Sequence, residues 1–170
     1  MLFEAAPVIA DNATPPRSGS EDTHIAISGL SVSDAEGDAQ HVTLTASHGT
    51  LNLGTLTGLT GVSGNGSASV SFSGSLADIN AALNSLGFTG DKDYNGNASF
   101  TVSSNDGTLT SNKTININIT PANDAPAMSG GSPLQVNEGG SANFSGTINT
   151  PDGKGFTQAN LGLTDVDNSQ

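Results

Sequence analysis

The chain has 170 residues, with no cysteine and no tryptophan, and is 34% hydrophobic but only 4% aromatic. That length holds one ordinary domain plus a fragment, and without cysteine there are no disulfide staples, zinc-thiolate sites or thiol chemistry. Four basic residues against sixteen acidic ones give a formal net charge of −12, the opposite of the basic footprint that nucleic-acid binding requires.

The start, Met1-Leu2-Phe3-Glu4-Ala5-Ala6, lacks the basic and long apolar regions of a signal peptide, and no run reaches membrane-spanning length, so no membrane insertion is expected. Residues 1–22 read as an incoming linker, with Pro7-Val8-Ile9 as a first edge strand. Ile25 and Ile27, then Leu30 and Val32 after the interruption at Gly29, alternate with polar neighbours and end in the acidic turn Asp34-Ala35-Glu36-Gly37-Asp38. This alternation marks a strand that buries one face. Val42, Leu44 and Ala46 alternate likewise and lead through Ser47-His48-Gly49 into Leu51-Asn52-Leu53, a hairpin pattern. Residues 58–66 read as a glycine-punctuated loop, and Val70 and Phe72 mark another strand.

Between Ser75 and Gly87 the period changes. Leu76, Ile79, Leu83 and Leu86 recur at spacings of three and four, which predicts the one helix. Ser73 or Ser75 is placed to cap its start, and Gly87 to end it in a left-handed conformation. Two strands follow, one carrying Phe100 and Val102 and the other Ile115, Ile117 and Ile119, framed by Asp91-Lys92-Asp93-Tyr94-Asn95-Gly96, Asn105-Asp106-Gly107 and Pro121-Ala122-Asn123-Asp124-Ala125-Pro126. The residues from Ala98 to Ser104 span roughly 23 Å as a strand, so Asp91 and Asp93 sit at the opposite end from Asp106 and share no ion with it. Beyond Pro126 the pattern starts again, from Leu134-Gln135-Val136 to Leu163-Thr164-Asp165-Val166-Asp167, as an internal repeat cut off at its acidic turn. Residues 127–170 are expected to fold loosely, since a few strands do not close a sandwich. The whole predicts an all-β antiparallel sandwich over 23–120 with one short helix, a linker at 121–126, and an incomplete second repeat over 127–170.

The acids are clustered in turns, as at Glu21-Asp22, Asp34/Glu36/Asp38, Asp91/Asp93 and Asp165/Asp167. Like charges packed together repel unless a cation neutralises them, which points to a hard divalent metal with oxygen ligands. An EF-hand is excluded, because the twelfth position holds Val102 when counted from Asp91 and Thr45 when counted from Asp34, where that loop needs a bidentate glutamate. His24, His41 and His48 have no metal-ligand spacing. Gly61-Val62-Ser63-Gly64-Asn65 lacks the last glycine of a nucleophile elbow, and no convergent catalytic set is present, so no enzyme is expected. Triplets such as Asn97-Ala98-Ser99 follow from composition.

The combination of Ser20-Glu21-Asp22-Thr23, Asp34-Ala35-Glu36-Gly37-Asp38, the stretch from Gly74 to Leu83, Asp93-Tyr94-Asn95-Gly96, Asn105-Asp106-Gly107 and the Pro121 to Pro126 linker resembles the cadherin-like repeats of bacterial surface adhesins, often giant proteins exported by type I secretion (RTX-type). The resemblance covers about residues 7 to 125, with a partial copy from 126 to 170. It implies a cadherin/Ig-like form of that sandwich and calcium bound between repeats. Glu21, Asp91, Asp93, Asn123 and Asp124 would form the lower half of a site completed by Asp165 and Asp167, while Asp34, Glu36 and Asp106 would face the preceding linker, where Asp11 and Asn12 stand. Glu36 replaces the usual second aspartate and Lys92 adds a positive charge. The resemblance further implies a secreted or cell-surface location on a bacterium and a calcium-rigidified spacer acting in cell adhesion and biofilm formation. Its partners would be neighbouring repeats, cell-surface polysaccharide or another adhesin. The alternative it leaves is a calcium-dependent lectin-like module that binds polysaccharide.

Overall fold

A computed structural model describes residues 4–13 and 17–122, together with the backbone of 127–128 and 163–164. Contacts divide the chain into two units, 1–122 and 123–170. In the second, strands β12 (Ala127–Met128) and β13 (Leu163–Thr164) pair antiparallel. The expectation of loose folding for the rest of that unit lies outside the described residues.

The first unit is an all-β sandwich with one short helix. Its larger sheet has six strands in the order β2 (Arg17–Ser20), β11 (Thr110–Thr120), β10 (Gly96–Asn105), β5 (Gln40–Ser47), β8 (Ser69–Gly74) and β7 (Thr60–Ser63). The pairs are antiparallel except β2 with β11, which run parallel. A three-stranded sheet, β3 (His24–Ala26), β9 (Leu86–Gly90) and β6 (Gly49–Leu53), supplies the other layer, and β1 (Val8–Asp11) pairs with β4 (Leu30–Ser33). Alternation decides what is buried. Along β10, Ala98, Phe100, Val102 and Ser104 point inward, and along β11, Ile115, Ile117 and Ile119 do, joining Val42, Leu44, Phe72 and Phe88 in one core. Burying a Val, Leu, Ile or Phe side chain contributes about 1.5–3 kcal/mol, so the aliphatic side chains, which far outnumber Phe72, Phe88 and Phe100 in this core, carry most of the stability.

The residues between these inward positions face outward and align in rows. Thr101 lies between Thr45 and Thr114, Ser103 between Thr43 and Asn112, and Ser99 between Ser47 and Asn116. Ser69 and Ser71 extend the first two rows onto β8.

The helix α1 (Leu76–Asn84) forms where the period changed. Ser75 is its N-cap. The Ser75 hydroxyl accepts from the Asp78 N–H at 3.2 Å and donates to the Asp78 carboxylate at 2.6 Å. Ile79, Ala82 and Leu83 bury its inner face. Asn80 reaches the β4 edge, where its amide oxygen accepts from Val32 N–H at 2.8 Å and its NH2 donates to Val32 C=O at 2.9 Å, so one side chain stands in for a neighbouring strand.

Several expectations change. The run from Ile25 to Val32 divides into β3, paired with β9, and β4, paired with β1. The expected hairpin of Val42–Leu53 does not form, because β5 pairs with β10 and β8 while β6 pairs with β9 in the other sheet. The helix ends at Ser85, whose N–H reaches Ala82 and Leu83 carbonyls, and Gly87 belongs to β9, where a Cβ would collide with the His24 ring. Glycine is required there for a close approach and not for a left-handed turn. Within the expected linker, Arg17–Ser20 form β2, and within the expected loop, Thr60–Ser63 form β7.

Candidate metal centre

The ten residues of β10 span about 30 Å, and acids gather at both of its ends. At the end near Asn105, which we call the upper end, Asp106 starts the turn into β11. Its Oδ1 accepts the Thr108 and Leu109 N–H groups, both at 2.7 Å, and the Asp106 N–H bonds the Leu109 carbonyl at 3.2 Å. The other carboxylate oxygen, Oδ2, is shut off from solvent and has no hydrogen-bond partner. A buried charged oxygen left in this way costs free energy that proteins ordinarily recover through a donor or a cation.

The loop after β4 faces this turn. Asp34 Oδ1 accepts the Glu36 N–H at 3.0 Å, and Asp34 Oδ2 accepts from the Gln40 amide at 2.9 Å. Gln40 is itself buried; it also donates to the Asp38 carbonyl at 3.1 Å and accepts from the buried Ser104 hydroxyl at 2.9 Å. A relay from Ser104 on β10 through Gln40 thus holds the acidic loop against the end of the sheet. Desolvation pushes the Asp34 carboxyl upward, but the hydrogen bonds from Glu36 and Gln40 outweigh it and leave its pKa below the ordinary carboxylate value.

Glu4 joins this group from the chain before β1. Desolvation, followed by the negative charges of Asp106, Asp38, Glu36 and Asp34, raises its pKa above the ordinary value. The register explains why Glu4 is there: Val8 pairs with Ser33, so the chain upstream of Val8 runs on toward Asp34. The same register corrects the expectation for Asp11 and Asn12. Asp11 pairs with Leu30, at the far end of β4, and the Asn12 N–H bonds the Gly29 carbonyl at 2.8 Å. The Asp11 carboxylate is held by Arg17 in a two-point ion pair at 2.6 and 2.8 Å, and this Arg17 bond, outweighing desolvation, lowers its pKa.

The lower end is built differently. The turn Glu21-Asp22 follows β2, and Glu21 is 2% exposed. Both Glu21 oxygens have protein donors: Oε1 accepts the Ala122 N–H at 2.8 Å and Oε2 accepts from the Asn95 amide at 3.3 Å. The Glu21 N–H donates to the Thr120 carbonyl at 2.9 Å, so this residue ties the end of β11 to the β2 turn. Asp22 and Asp93 both take left-handed backbones, at φ 56 and 57°, and the Asp93 N–H donates to the Asp22 carboxylate at 3.4 Å. Lys92 is ion-paired to Asp93 at 2.6 Å, an exposed contact of small energetic weight. Asp91 is exposed, with its backbone bridging His48 and Tyr94, whose rings stack at 4.2 Å and 3°.

Of the expected site residues, the structure brings Asp34, Glu36 and Asp106 to one end and Glu21, Asp91 and Asp93 to the other. Asn123, Asp124, Asp165 and Asp167 lie outside the described residues. Among the described residues no three His, Asp or Glu side chains are arranged as a ready metal cage. The oxygen chemistry at the upper end nevertheless fits a hard cation, because Asp106 Oδ2 lacks any donor there. Sequence reasoning missed Glu4, Asp22 and Gln40 as parts of these ends. Only Asp22 left a trace, as the neighbour of Glu21. The chain matches no protein family, no curated protein and no solved structure.

Proposed function

We propose that this chain is a calcium-binding cadherin-like repeat of a secreted or cell-surface adhesin, a spacer stiffened by calcium between consecutive repeats. The observation that carries the reading is the buried, partnerless Asp106 Oδ2 at the end of the sheet where Gln40 ties the acidic 34–38 loop to Ser104. Asp106, Asp34, Glu36, Asp38 and Glu4 would hold the ion. Calcium takes six to eight oxygens and would supply the neutralising charge that these carboxylates lack. The lower-end acids of one repeat and the upper-end acids of the next would meet at each junction, with Asn123 and Asp124 in the linker between Pro121 and Pro126. Rigid alignment follows if the same ion neutralises both sides, since uncompensated carboxylates repel across a screening length of about 8 Å at physiological salt. The reading involves no catalysis.

Thermal unfolding of the 170-residue chain in chelator and in millimolar calcium tests it. A site filled at a hundredfold excess over its dissociation constant contributes about 2.7 kcal/mol, a rise in Tm of roughly 5–10 °C for a domain of this size. Identical unfolding curves in the two conditions would remove the calcium reading.

A further inference from the structure

The broad outer face of the six-stranded sheet has a property that the calcium reading leaves unused. In a chain with sixteen acidic and four basic residues, none of the outward positions of β2, β5, β7, β8, β10 and β11 is charged. Arg17 and Lys113, the two charged residues on these strands, stand on the inward parity beside Gly19 and Ile115. The face is built from serine, threonine and asparagine, with His41 at one end. We propose that this face docks an uncharged, hydroxyl-rich polysaccharide, and that it does so without calcium.

The side chains are prepared for such a partner. Hydroxyls pair across the strands, Ser47 with Ser99 at 3.1 Å and Thr101 with Thr114 at 3.3 Å, and His41 bonds the Ser73 hydroxyl at 2.8 Å. Each cross-strand pairing fixes two rotors and leaves lone pairs directed outward. Away from the outer face, Asn65, Asn80 and Asn95 spend their amides on structural hydrogen bonds. Asn105, at the turn end of the face, spends its amide on the Leu109 carbonyl and the Thr110 hydroxyl. Elsewhere on the face, Asn97, Asn112, Asn116 and Asn118 are exposed, and their amides bond no protein group. Each offers two donors and an acceptor. Ser, Thr and Asn are short and lose little rotamer entropy when a ligand orders them. Four neighbouring strands give a surface about 14 Å across and about 20 Å along β10, long enough for several sugar units.

Charge and shape select the partner. A polyanion finds no cation on this face and is repelled by the rest of the molecule. A protein partner needs buried aromatic or aliphatic anchors, and the exposed large hydrophobics Val8, Leu56 and Leu109 all lie off the face. A neutral polyol matches both the absence of charge and the alternation of donors and acceptors. The stacked His48 and Tyr94 rings border it, next to Ser47 and with the Tyr94 hydroxyl on the Asn97 carbonyl at 2.9 Å, and provide an apolar rim at that end.

The test is affinity electrophoresis of the 170-residue chain in chelator, through gels containing dextran, a neutral mannan or a neutral galactan, with alginate as the anionic comparison. At least one neutral polymer should retard the chain, equally in chelator and in calcium. Thr101→Glu, and separately Asn116→Glu in case the first perturbs folding, should weaken retardation about tenfold by burying an unpaired charge. Asn52→Glu, exposed on β6 in the other sheet, should leave it unchanged. No retardation by any of the three neutral polymers, retardation by alginate alone, retardation only with calcium, or equal retardation of both face variants would each overturn the proposal. Because the gels contain chelator, a failure here is separate from a failure of the calcium reading.

Discussion

The two ends of β10 hold comparable numbers of acids, yet their central carboxylates do opposite things. At the lower end Glu21 is almost fully buried and satisfied, its two oxygens taken by Ala122 N–H and the Asn95 amide. At the upper end Asp106 spends one oxygen on the turn it starts and leaves the other buried without a donor. A carboxylate completed by protein donors acts as an internal clasp. One left short by a donor, with other carboxylates around it, is prepared for a cation. Clustering is alike at the two ends, and what differs is how the donors are shared: both backbone N–H donors to Asp106 converge on Oδ1, whereas Glu21 receives one donor on each oxygen, a backbone N–H and the Asn95 side-chain amide.

The sharpest way to break this contrast is Asp106→Asn. The amide keeps an oxygen for Thr108 and Leu109 but places an NH2 where the partnerless oxygen stood, so most of the calcium-dependent gain of about 2.7 kcal/mol should disappear. Calcium titration followed by thermal unfolding reads this directly; a full gain in the variant would place the ion elsewhere. Glu21→Ala should behave in the opposite way. It strands the Ala122 N–H and the Asn95 amide, and should cost about 2 kcal/mol in urea unfolding whether calcium or chelator is present. If it abolishes the calcium response instead, the lower end is a metal site in its own right within this chain.

Gln40→Leu sharpens the comparison without touching a carboxylate. It cuts the relay from Ser104 to Asp34, should cost about 1–2 kcal/mol by leaving a buried hydroxyl unpaired, and should weaken calcium binding because the acidic loop is no longer held. Unchanged calcium affinity by titration calorimetry would show that the relay serves stability alone. The smallest effect belongs to the Arg17–Asp11 pair, which lies outside both ends. The Asp11 carboxyl is lowered in the folded chain, so its contribution is complete above the unfolded value and is lost as pH falls through the folded one, below about pH 4. Arg17→Met should remove about 1 kcal/mol at pH 7 and flatten the fall in urea midpoint between pH 5 and pH 3. An equally steep fall in the variant would assign that acid sensitivity to other carboxylates.

Much of the fold is legible in alternation. Ile115, Ile117 and Ile119 announce β11, Phe100 and Val102 announce β10, and the shift to Leu76, Ile79 and Leu83 announces α1 with its Ser75 cap. What stays hidden is held by partners distant in sequence. Arg17-Ser18-Gly19-Ser20 has no apolar pattern and becomes a strand only because β11 offers it a parallel ladder, and Thr60–Ser63 is a strand only beside β8. Gly87 looks like a helix stop, but its reason is the His24 ring across the β3–β9 pair. The acids of the candidate site are visible as clusters, and the separation of the two ends follows from strand length. Their different roles are not visible, because the donors to Glu21 come from Asn95 and Ala122, and Glu4 reaches the 34–38 loop only through the β1–β4 register. Gln40 reads as an ordinary strand residue, yet it is the buried link between β10 and that loop.

Backbone amide NMR of the 170-residue chain during a calcium titration tests the central claim most directly, because every residue of both ends reports in one experiment. The account predicts saturable shifts of the Glu36, Thr108 and Leu109 amides, whose N–H groups bond the Asp34 and Asp106 carboxylates, with the Ala122 amide on Glu21 moving little. Shifts confined to Ala122, Asp22 and Asp93, or none at the upper end at millimolar calcium, would contradict it.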